Sequence, residues 1–507
     1  MGYELIAAVD LGSNSFRLQV GRIVDNQIYP LDSLKESVRL AAGLTLERTL
    51  DGASQLRALE TLGRFGERLR GFIPGAVRAV ATNTLRVAKN APEFLSQAEA
   101  ALGFPIEVIA GREEARLIYL GVAHTLANPR TQQLVVDIGG GSTEFIIGRN
   151  FAPLQLESLY MGCVSHSLKY FPRGHVAKHA LKEAELAARK ELQTIVSAYR
   201  ATGWEEAVGS SGTAKAIADL LELNGLNDDE AAGITLGGIE RLKNLLSRAG
   251  EVGNLRLAGL RADRVPVLPG GLSIMSAVFK EFGLERMTFS EGALRLGVLY
   301  DLLGRHHHDD QREATVGQFM QRYEVDSRQA LRVSHTALAL QQQLQAAGGA
   351  EVQIDAQFLQ WAGRLHEIGI SVAHSSYHKH SAYILANADM PGFSKMDQER
   401  LSRIVLAHRG KLERIQAMTR EPRDWLLIFC IRLAALLHRA RDDTPLSTLE
   451  TAVTERGFRL MVDDAWLAAS PLTAAALEEE VRQWTGVNME LRIRREKSKP
   501  VRDSVEG

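Results

Sequence analysis

Two short polar segments, each lying between apolar runs, contain the residue types that bind phosphate. Residues 10–15 read Asp-Leu-Gly-Ser-Asn-Ser, and residues 137–142 read Asp-Ile-Gly-Gly-Gly-Ser, 127 positions later. Each pattern predicts a strand, a tight turn and a second strand, with the polar residues gathered in the turn. Glycine lets the backbone turn its N–H groups toward an anion, and aspartate can hold a cation that neutralises phosphate. Two such hairpins facing each other predict a cleft that clamps a phosphate chain from both sides.

The two turns supply different hydrogen-bond donors. The first offers hydroxyl and carboxamide side chains beside its backbone amides, whereas the second offers mainly bare amides and one hydroxyl. Either turn alone could simply close a hairpin, as glycine-rich turns commonly do. The recurrence of the same aspartate and serine favours phosphate binding. The candidate phosphate-binding residues are Ser13, Asn14, Ser15, Gly139, Gly140, Gly141 and Ser142.

Three carboxylates accompany these turns. Asp10 and Asp137 each stand at the end of an apolar run, two positions before a glycine. They could cap the turn by hydrogen bonds to its backbone, or they could coordinate Mg²⁺, which favours a few carboxylates together with water and phosphate oxygens. Glu144 could be a further cation ligand or an ordinary exposed strand residue, and the sequence leaves both possibilities open.

A pair of glutamates opens a predicted helix that runs to about residue 126. Glu113 and Glu114 lie in its first turn, where the helix dipole favours acidic residues whatever their function. A carboxylate at this point, just before the second half of the chain, could also take a proton from water that attacks a terminal phosphate. The chemistry of the two side chains does not distinguish Glu113 from Glu114.

Two further positions have residues suited to anions. Arg86 would begin a helix beyond the strand at 76–81, and guanidinium groups bind phosphate oxygens in pairs. Its alternative is a surface ion pair. Ser211 and Gly212 open another predicted helix, where the backbone could bind an anion or serine could simply cap the helix.

The elements that would position these residues alternate between strand and helix in both halves. Strands are predicted at 5–10, 16–24, 27–32, 76–81 and 105–109, with helices at 53–71 and 112–126. Residues 134–303 repeat this style, with paired strands and helices near 177–200, 213–222 and 292–303. Two α/β halves that begin with the same hairpin predict a duplicated fold, with a cleft between the copies.

The pattern changes after Gly304. Residues 306–310, His-His-His-Asp-Asp, predict a solvated linker or helix cap rather than a metal site. Apolar spacing is helical from 311 to about 441, and strands return near 458–462 and 489–494, on either side of a helix at 472–485. The chain is therefore divided into two α/β domains (1–125 and 126–304), an all-α domain (305–443) and a small α+β domain (444–507).

Histidines scattered through the helical region suggest a metal phosphohydrolase core of the HD type. Such a core needs a His-Asp pair and a later aspartate, but the pair here is His366-Glu367 and residues 433–436 offer only leucine and alanine. An active metal centre is therefore not favoured. Basic residues could instead steer a polyanion, or could simply be solvated. The other histidines and the basic residues are His374, His378, His380, His408, Arg409, Lys411, Arg414, Arg492, Arg494, Arg495, Lys497 and Lys499.

The composition excludes several classes of function. A net charge of −1 over 507 residues does not suggest a nucleic-acid binder. No apolar stretch approaches the roughly 18 residues that span a membrane, and the first residues lack the pattern of a signal peptide. Cys163 and Cys430 lie far apart in sequence; a disulfide is possible in principle, but two free thiols in a reducing cytoplasm are expected.

Seven segments together resemble the exopolyphosphatase and guanosine pentaphosphate phosphatase family. The resemblance covers essentially the whole chain and implies a duplicated, ribonuclease-H-like fold of the actin-like, sugar-kinase superfamily, followed by an all-α HD-like domain and a small α+β domain. The segments are residues 10–15, 82–86, 111–118, 137–144, 161–164, 209–213 and 290–300.

The resemblance implies Mg²⁺-dependent release of orthophosphate from the ends of linear inorganic polyphosphate. The family's catalytic base falls on Glu114, and a phosphate-contacting arginine falls on Arg86. The metal-associated carboxylates fall on Asp137 and, less clearly, Glu144. A cytoplasmic homodimer is also implied, and a role for K⁺ or another monovalent ion stays open.

The family has two branches that differ in substrate. The guanosine pentaphosphate branch often has alanine where Gly141 stands, so Gly141 favours the exopolyphosphatase branch, as do residues 170–174 and 378–383. A phosphohydrolase acting on guanosine penta- or tetraphosphate is the alternative. A kinase or ATPase of the same superfamily and an actin-like assembly protein are more distant alternatives.

Overall fold

The computed structural model describes residues 4–24, 27–45, 47–126, 128, 130–227, 233–306, 310–345, 349–419, 421–446 and 449–496. The chain forms two compact units. The first comprises Met1–Gln311 with Pro391–Lys395, and the second comprises Arg312–Met390 with Met396–Gly507. The four-domain division is finer than this split and stays a prediction. Within the described residues, no helix is long and apolar enough to cross a membrane.

The first unit contains two sheets with the same core arrangement. The first sheet consists of β1 (Leu5–Leu11), β2 (Phe16–Val24), β3 (Gln27–Glu36), β4 (Val77–Ala81) and β5 (Ile106–Val108), in the order β3-β2-β1-β4-β5. The second consists of β6 (Gln133–Ile138), β7 (Thr143–Arg149), β8 (Ala152–Leu159), β9 (Glu206–Ser210), β10 (Ile234–Thr235) and β11 (Arg286–Phe289), in the order β10-β11-β9-β6-β7-β8. In each sheet an antiparallel three-strand meander is followed by a parallel neighbour, β4 beside β1 and β9 beside β6. The predicted duplication is therefore present.

Each predicted helix range of the first unit contains a helix, with the region near 177–200 interrupted after Leu192, and the structure adds helices for which the sequence analysis gave no range. They are α1 (Gly52–Arg68), α2 (Asn83–Val87), α3 (Ala91–Leu102), α4 (Gly111–Ala123), α5 (Cys163–Tyr170), α6 (Lys178–Leu192), α7 (Val196–Thr202), α8 (Ser211–Leu223), α9 (Leu236–Ala249), α10 (Leu268–Phe282) and α11 (Leu294–His306). Short 3₁₀ turns lie at Leu40–Gly43, Pro74–Ala76, Pro172–Gly174, Val252–Asn254 and Val265–Val267.

Local sequence explains why these elements form. Asp51 caps the N-terminus of helix α1, since its carboxylate accepts a hydrogen bond from the Ser54 amide at 2.6 Å, and the helix buries Ala58, Leu62 and Phe65 on one face. Strand β6 is buried along its whole length, as expected for a strand with neighbours on both sides and covered on both faces.

Helices α4 and α11 cross at a contact between glycines. A side chain at Gly121 would collide with the backbone of Ala293, and one at Gly297 would collide with the backbone of Leu117. The same hydrophobic core includes Ile6 of the first sheet and Val135 of the second. Helix α4 is therefore packed into a core shared by the two sheets.

This close crossing predicts that Gly297→Ala destabilises the protein, since a Cβ atom there must displace backbone. We expect a loss of about 1–3 kcal/mol in the free energy of unfolding, the usual range for overpacking. Gly63→Ala in α1 is the matched control: no atom lies within 4 Å of a Cβ at that position, so alanine should be neutral or slightly stabilising. Urea unfolding of both variants checks this, and equal stability of the two would contradict the assigned packing.

Within its described residues, the second unit contains nine α-helices and one three-stranded sheet. The helices are α12 (Gln311–Arg322), α13 (Ser327–Leu344), α14 (Ala350–Leu365), α15 (Tyr377–Asn387), α16 (Lys395–Ala407), α17 (Glu413–Gln416), α18 (Pro422–Leu437), α19 (Asp464–Ala469) and α20 (Pro471–Thr485), with a 3₁₀ turn at Ile368–Ser371. The strands are β12 (Glu450–Thr454), β13 (Gly457–Asp463) and β14 (Glu490–Glu496), in that order in the sheet. The structure adds β12 to the two strands that the sequence predicts.

Candidate active site

The two glycine-containing turns meet. A Cβ atom on Gly140 would lie 2.9 Å from Ser13 Cβ, and one on Gly141 would lie 3.4 Å from Ser13 Oγ. Thr84, in the first turn of α2 shortly after β4, donates its hydroxyl to Ser13 Oγ at 2.7 Å. The β1–β2 and β6–β7 turns therefore face each other, as the paired motifs predict, with the residues that follow β4 beside them.

The orientation of the second turn is fixed by helix α5. Cys163 donates its backbone N–H to Gly139 O at 2.8 Å, and Val164 donates to Gly140 O at 3.0 Å. Because a trans peptide places its C=O and N–H on opposite sides, the N–H groups of Gly140 and Gly141 point away from α5. Gly139 itself donates to Ser142 O at 2.9 Å, which closes the hairpin. Gly140 and Gly141 are therefore better placed than Gly139 to offer amides to an anion.

Strand register places the charged side chains at equivalent positions in the two hairpins. Asp137 lies directly opposite Glu144 across β6 and β7, and Asp10 lies opposite Arg17 across β1 and β2. Arg17 was missed as a site residue. The 127-residue repeat holds the signal that could have found it, because Arg17 occupies the position in the first motif that Glu144 occupies in the second.

The structure distinguishes the two glutamates of α4. Glu114 is 7% exposed and accepts a hydrogen bond from Arg86 Nη1 at 3.2 Å. Arg86 also donates to Ile109 O at 2.8 Å, which holds its guanidinium in place. Charge interactions couple Glu114 to Asp10 and Asp137. Glu114 thus belongs to the cluster of carboxylates at the two turns, and Arg86 binds the Glu114 carboxylate.

Glu113 belongs instead to a buried network of ion pairs. Arg116 donates to both Glu113 carboxylate oxygens at 2.8 Å and also binds Asp301. Asp301 accepts further bonds from Arg78 at 2.6 Å and Arg305 at 3.1 Å. Glu113 therefore has a structural role that its spacing did not reveal.

Burial raises the pKa of the site carboxyl groups because it disfavours their charged forms. The pKa of Asp10 rises to about 6 by burial, against the attraction of Arg295 and Arg17. The pKa of Glu114 rises to about 7 by burial, opposed by Arg86 and reinforced by Asp10. A carboxyl group with a pKa near neutrality can exchange a proton with water at physiological pH.

The pKa of the Glu144 carboxyl group is raised in the same way. Burial, with repulsion from Glu114 and Asp137, raises the pKa of Glu144 well above its usual value. Ser158 donates to Glu144 Oε1 at 2.8 Å, and the Ser142 side chain also hydrogen-bonds to Glu144. Ser142 is thus engaged with a carboxylate in this structure.

Ser211 and Gly212 reach the site at the beginning of α8. The pKa of Asp137 is raised by burial, while hydrogen bonds from Ser211 and Ser210 oppose the rise. Ser211 has a φ of +69°, in the left-handed region that a non-glycine residue rarely occupies. Such strain is often found at functional sites. The structure thus places Ser211 at the start of a helix, as predicted, and beside Asp137 of the second hairpin, while its role in phosphate binding stays a prediction.

Two further arginines approach the site without having been singled out by the sequence. Arg295 of α11 interacts electrostatically with Asp10 and Asp137, and burial with repulsion from Arg17 lowers its pKa to about 10. Arg264 lies against Gly212, where a Cβ atom would be 2.6 Å from its Cζ atom. Arg264 lies outside every motif, whereas Arg295 lies within the segment 290–300, where spacing alone did not mark it as a site residue.

Family models match both units of the chain. The model of the Ppx/GppA phosphatase family matches residues 19–306, and that of Ppx/GppA phosphatase domain III matches residues 311–481. The chain belongs to the Ppx/GppA phosphatase family. It is therefore an enzyme of the phosphoanhydride hydrolase class, with the duplicated actin-like fold that the resemblance implied.

Individual Ppx/GppA relatives cover most of the chain or about 60% of it. A guanosine-5'-triphosphate,3'-diphosphate pyrophosphatase of Aeromonas hydrophila is 38% identical over 485 residues, which is 94% of this chain and 96% of the relative. A crystal structure of an exopolyphosphatase from Cytophaga hutchinsonii matches 59% of this chain and 98% of its own, with 25% identity and a TM-score of 0.53. A Ppx/GppA family member from Aquifex aeolicus matches 60% of this chain and 99% of its own, with 27% identity and a TM-score of 0.50.

The site of this Ppx/GppA protein fits a divalent cation. Asp10 Oδ1 is buried and has no hydrogen-bond partner among the described residues, a costly state that a bound cation would relieve. Within the same residues, no three His, Cys, Asp or Glu side chains form a ready-made metal cage. Mg²⁺ needs only one or two carboxylates when water and phosphate oxygens complete its shell. Asp10, Asp137 and Glu144 stay the candidate ligands.

Histidines of the second unit form a cluster of their own. The ring centroids of His366 and His408 are 5.1 Å apart, and those of His378 and His408 are 6.2 Å apart. Burial lowers the pKa of His366, and burial with repulsion from Lys379 lowers that of His378 to about 4. Glu367 is bound by Arg441. These histidines are therefore held neutral in a packed interior.

The remaining sequence predictions concern basic and linker residues. Arg492 forms an ion pair with Glu490 at 2.6 Å, and Arg409 lies over the Tyr377 ring at 5.4 Å. Part of the predicted basic surface is therefore engaged within the protein, and its role in steering polyanions stays a prediction. The linker residues 307–309 and the tail residues Lys497 and Lys499 lie outside the described residues. Both cysteines are free and buried.

Proposed function

We propose that the chain hydrolyses the terminal phosphoanhydride of guanosine pentaphosphate, releasing orthophosphate and leaving guanosine tetraphosphate. The observation that supports hydrolysis at this site is Glu114, a buried carboxyl group with a pKa of about 7 that is grouped with Asp10 and Asp137 at two facing phosphate-type turns. A group with this pKa can accept a proton from attacking water near neutral pH.

The base is positioned by its neighbours. Arg86 holds Glu114 through a 3.2 Å hydrogen bond and is itself fixed to Ile109 O. The Glu113 network also holds the first turn of α4, through Arg116 and Asp301. A water molecule held by Glu114 would lose its proton to the carboxylate as its oxygen attacks the terminal phosphorus.

The two turns and their arginines would hold the phosphates. The amides of Gly140 and Gly141 and the polar side chains of Asn14 and Ser15 offer donors without adding charge. Arg17 and Arg295 bring positive charge to the carboxylates at the turns, and charge stabilisation at the transferring phosphoryl group supplies most catalysis in such reactions. Mg²⁺ held by Asp10, Asp137 or Glu144 would neutralise charge on phosphate oxygens.

Local sequence positions and the similarity over the whole chain favour different substrates. Gly141 and residues 170–174 and 378–383 favour polyphosphate. The Aeromonas hydrophila relative, by contrast, is named for guanosine-5'-triphosphate,3'-diphosphate and aligns over 94% of this chain. Agreement over nearly the whole length outweighs a few local positions. Guanosine pentaphosphate is therefore the leading substrate, and exopolyphosphatase activity is the second candidate, supported also by the Cytophaga hutchinsonii structure.

Steady-state kinetics with both substrates tests this order. We expect kcat/KM for guanosine pentaphosphate to exceed that for long-chain polyphosphate, counted per chain end, by about tenfold or more, since substrates are discriminated by the ratio of these constants. The assay measures orthophosphate release in Mg²⁺, with Glu114→Gln as the control for contaminating phosphatases. A higher value for polyphosphate would reverse the assignment, and turnover of neither substrate would overturn it.

A further inference from the structure

Asn83 stands where the two turns meet, and the nitrogen of its side-chain amide lacks a hydrogen-bond partner among the described residues. It is the first residue of α2, directly after β4 and Thr82, and it is 7% exposed. Its Nδ2 atom is buried, with no hydrogen-bond partner within the described part of the chain. Its neighbour Thr84, by contrast, is engaged with Ser13. A buried donor left without a partner costs about 1–3 kcal/mol, so its presence calls for a ligand.

The second turn leaves space for this carboxamide. A Cβ atom on Gly141 would lie 2.6 Å from Asn83 Oδ1 and 3.1 Å from its Cγ atom. Gly141 is not among the described residues with a positive φ, so its backbone would accept another residue type. Its lack of a side chain therefore serves the close approach of Asn83, rather than the conformation of the turn.

We propose that the Asn83 carboxamide is a further phosphate-binding group, which donates its Nδ2–H to a non-bridging oxygen of the terminal phosphoryl group. This inference rests on the proposed function. Phosphoryl oxygens accept hydrogen bonds, and a carboxamide donates them without a charge that would need compensation. Rotation of the amide by 180° would exchange its oxygen and nitrogen and would place Nδ2 at the position beside Gly141 that Oδ1 now occupies.

Removal of this donor should slow the reaction without weakening the fold. A donor aimed at the oxygens of the reacting group contributes most when charge shifts in the transition state. We therefore expect Asn83→Ala to lower kcat/KM for orthophosphate release by about 10²-fold, the effect of losing one such donor. Asn83→Asp, which places a carboxylate against the phosphate, should lower it further.

Stability of the free protein separates this role from a structural one. Because Asn83 Nδ2 has no partner among the residues that the structure describes, Asn83→Ala should leave the melting temperature unchanged or raise it. Asn90 is the matched control: its carboxamide donates to Leu50 O at 3.1 Å and accepts from Leu50 N at 2.8 Å. Asn90→Ala should lower the melting temperature and leave kcat/KM unchanged.

A double-mutant cycle with Gly141 completes the test. Gly141→Ala should lower kcat/KM in the natural sequence, because its Cβ atom displaces the carboxamide, and should cost much less in the Asn83→Ala background. All variants are measured with guanosine pentaphosphate and with polyphosphate.

The outcomes distinguish this inference from the proposed function. If the natural protein is active and the Asn83→Ala variant keeps kcat/KM within threefold of it on both substrates, the role of Asn83 is overturned and the proposed function is not. A fall in melting temperature as large as that of Asn90→Ala would also overturn it. Natural protein inactive on both substrates would overturn the proposed function.

Discussion

Replacement of Glu114 by glutamine is expected to lower kcat for phosphate release by about 10²–10⁴-fold, the usual contribution of a general base. Glutamine keeps the shape of the side chain and can still accept a hydrogen bond from Arg86, but it cannot take a proton from water. The turns and their arginines are untouched, so substrate binding should persist. Rapid-mixing kinetics gives kcat, and calorimetric titration gives the Kd of guanosine pentaphosphate.

Glu99→Gln is the control for this variant. Glu99 lies on α3 of the same half, is partly buried and accepts a hydrogen bond from the Ile106 amide at 2.8 Å, away from both turns. It should retain the activity of the natural protein. If Glu114→Gln turned over within threefold of the natural protein, another group would have to activate the water.

Removal of divalent cations is expected to lower turnover by about 10³-fold, which corresponds to the several kcal/mol that a metal ion supplies at a transferring phosphoryl group. Binding of the cation at this site should also be detectable by a measurement that does not depend on enzymatic activity. Mg²⁺ should raise the melting temperature of the natural protein, because it binds buried carboxylates that otherwise face one another.

The pH dependence of this stabilisation follows from the raised pKa values. In the free protein, Asp10 has a pKa of about 6 and Glu114 a pKa of about 7, both above the values of the unfolded chain. Their contribution to stability is therefore fully present below about pH 4, the pKa range of unfolded carboxylates, and is lost as the pH rises through 6 to 7. Mg²⁺ requires deprotonated ligands, so its effect on melting temperature should grow over the same interval.

Asp10→Asn checks this account. Its neutral amide removes a buried charge, so the free variant should melt at a higher temperature than the natural protein at pH 8 and should respond less to Mg²⁺. Melting curves at pH 5, 6, 7 and 8, with and without Mg²⁺, give the comparison. If Mg²⁺ did not change the melting temperature of the natural protein at pH 8, that result would contradict a cation site at these carboxylates.

The sequence contained much of the fold and part of the site. The repeated motif predicted two hairpins in equivalent places, and the structure shows Asp10 and Asp137 at the ends of corresponding strands. The meeting of the two turns followed from that symmetry. Short-range patterns succeeded here because a hairpin and its turn residues lie together in sequence.

Functions that depend on distant partners were not predictable from spacing. Glu113 and Glu114 share one helix turn, and only the position of Arg116 and Asp301 shows that Glu113 belongs to a structural network. Arg295 comes from α11, the helix that crosses α4 at the contact between glycines, and it interacts with Asp10 and Asp137 of two different strands. Such contacts are set by packing between elements, which a linear pattern does not encode.

The histidines of the second unit show the opposite case. Their sequence suggested a metal phosphohydrolase core without the acidic partners it needs, and the structure places His366, His378 and His408 together. Burial lowers their pKa values, which holds the rings neutral. The clustering and burial of these histidines depend on helix packing. The sequence alone showed only that the aspartates required by an HD-type metal site are absent from the expected positions.

Hydrolysis of guanosine pentaphosphate in water enriched with ¹⁸O tests the central claim most directly. If water activated beside the two turns attacks the terminal phosphorus, as proposed, mass spectrometry should find one ¹⁸O atom in the released orthophosphate and none in guanosine tetraphosphate. Label in the nucleotide product, or release of pyrophosphate in place of orthophosphate, would contradict attack at the terminal phosphoryl group.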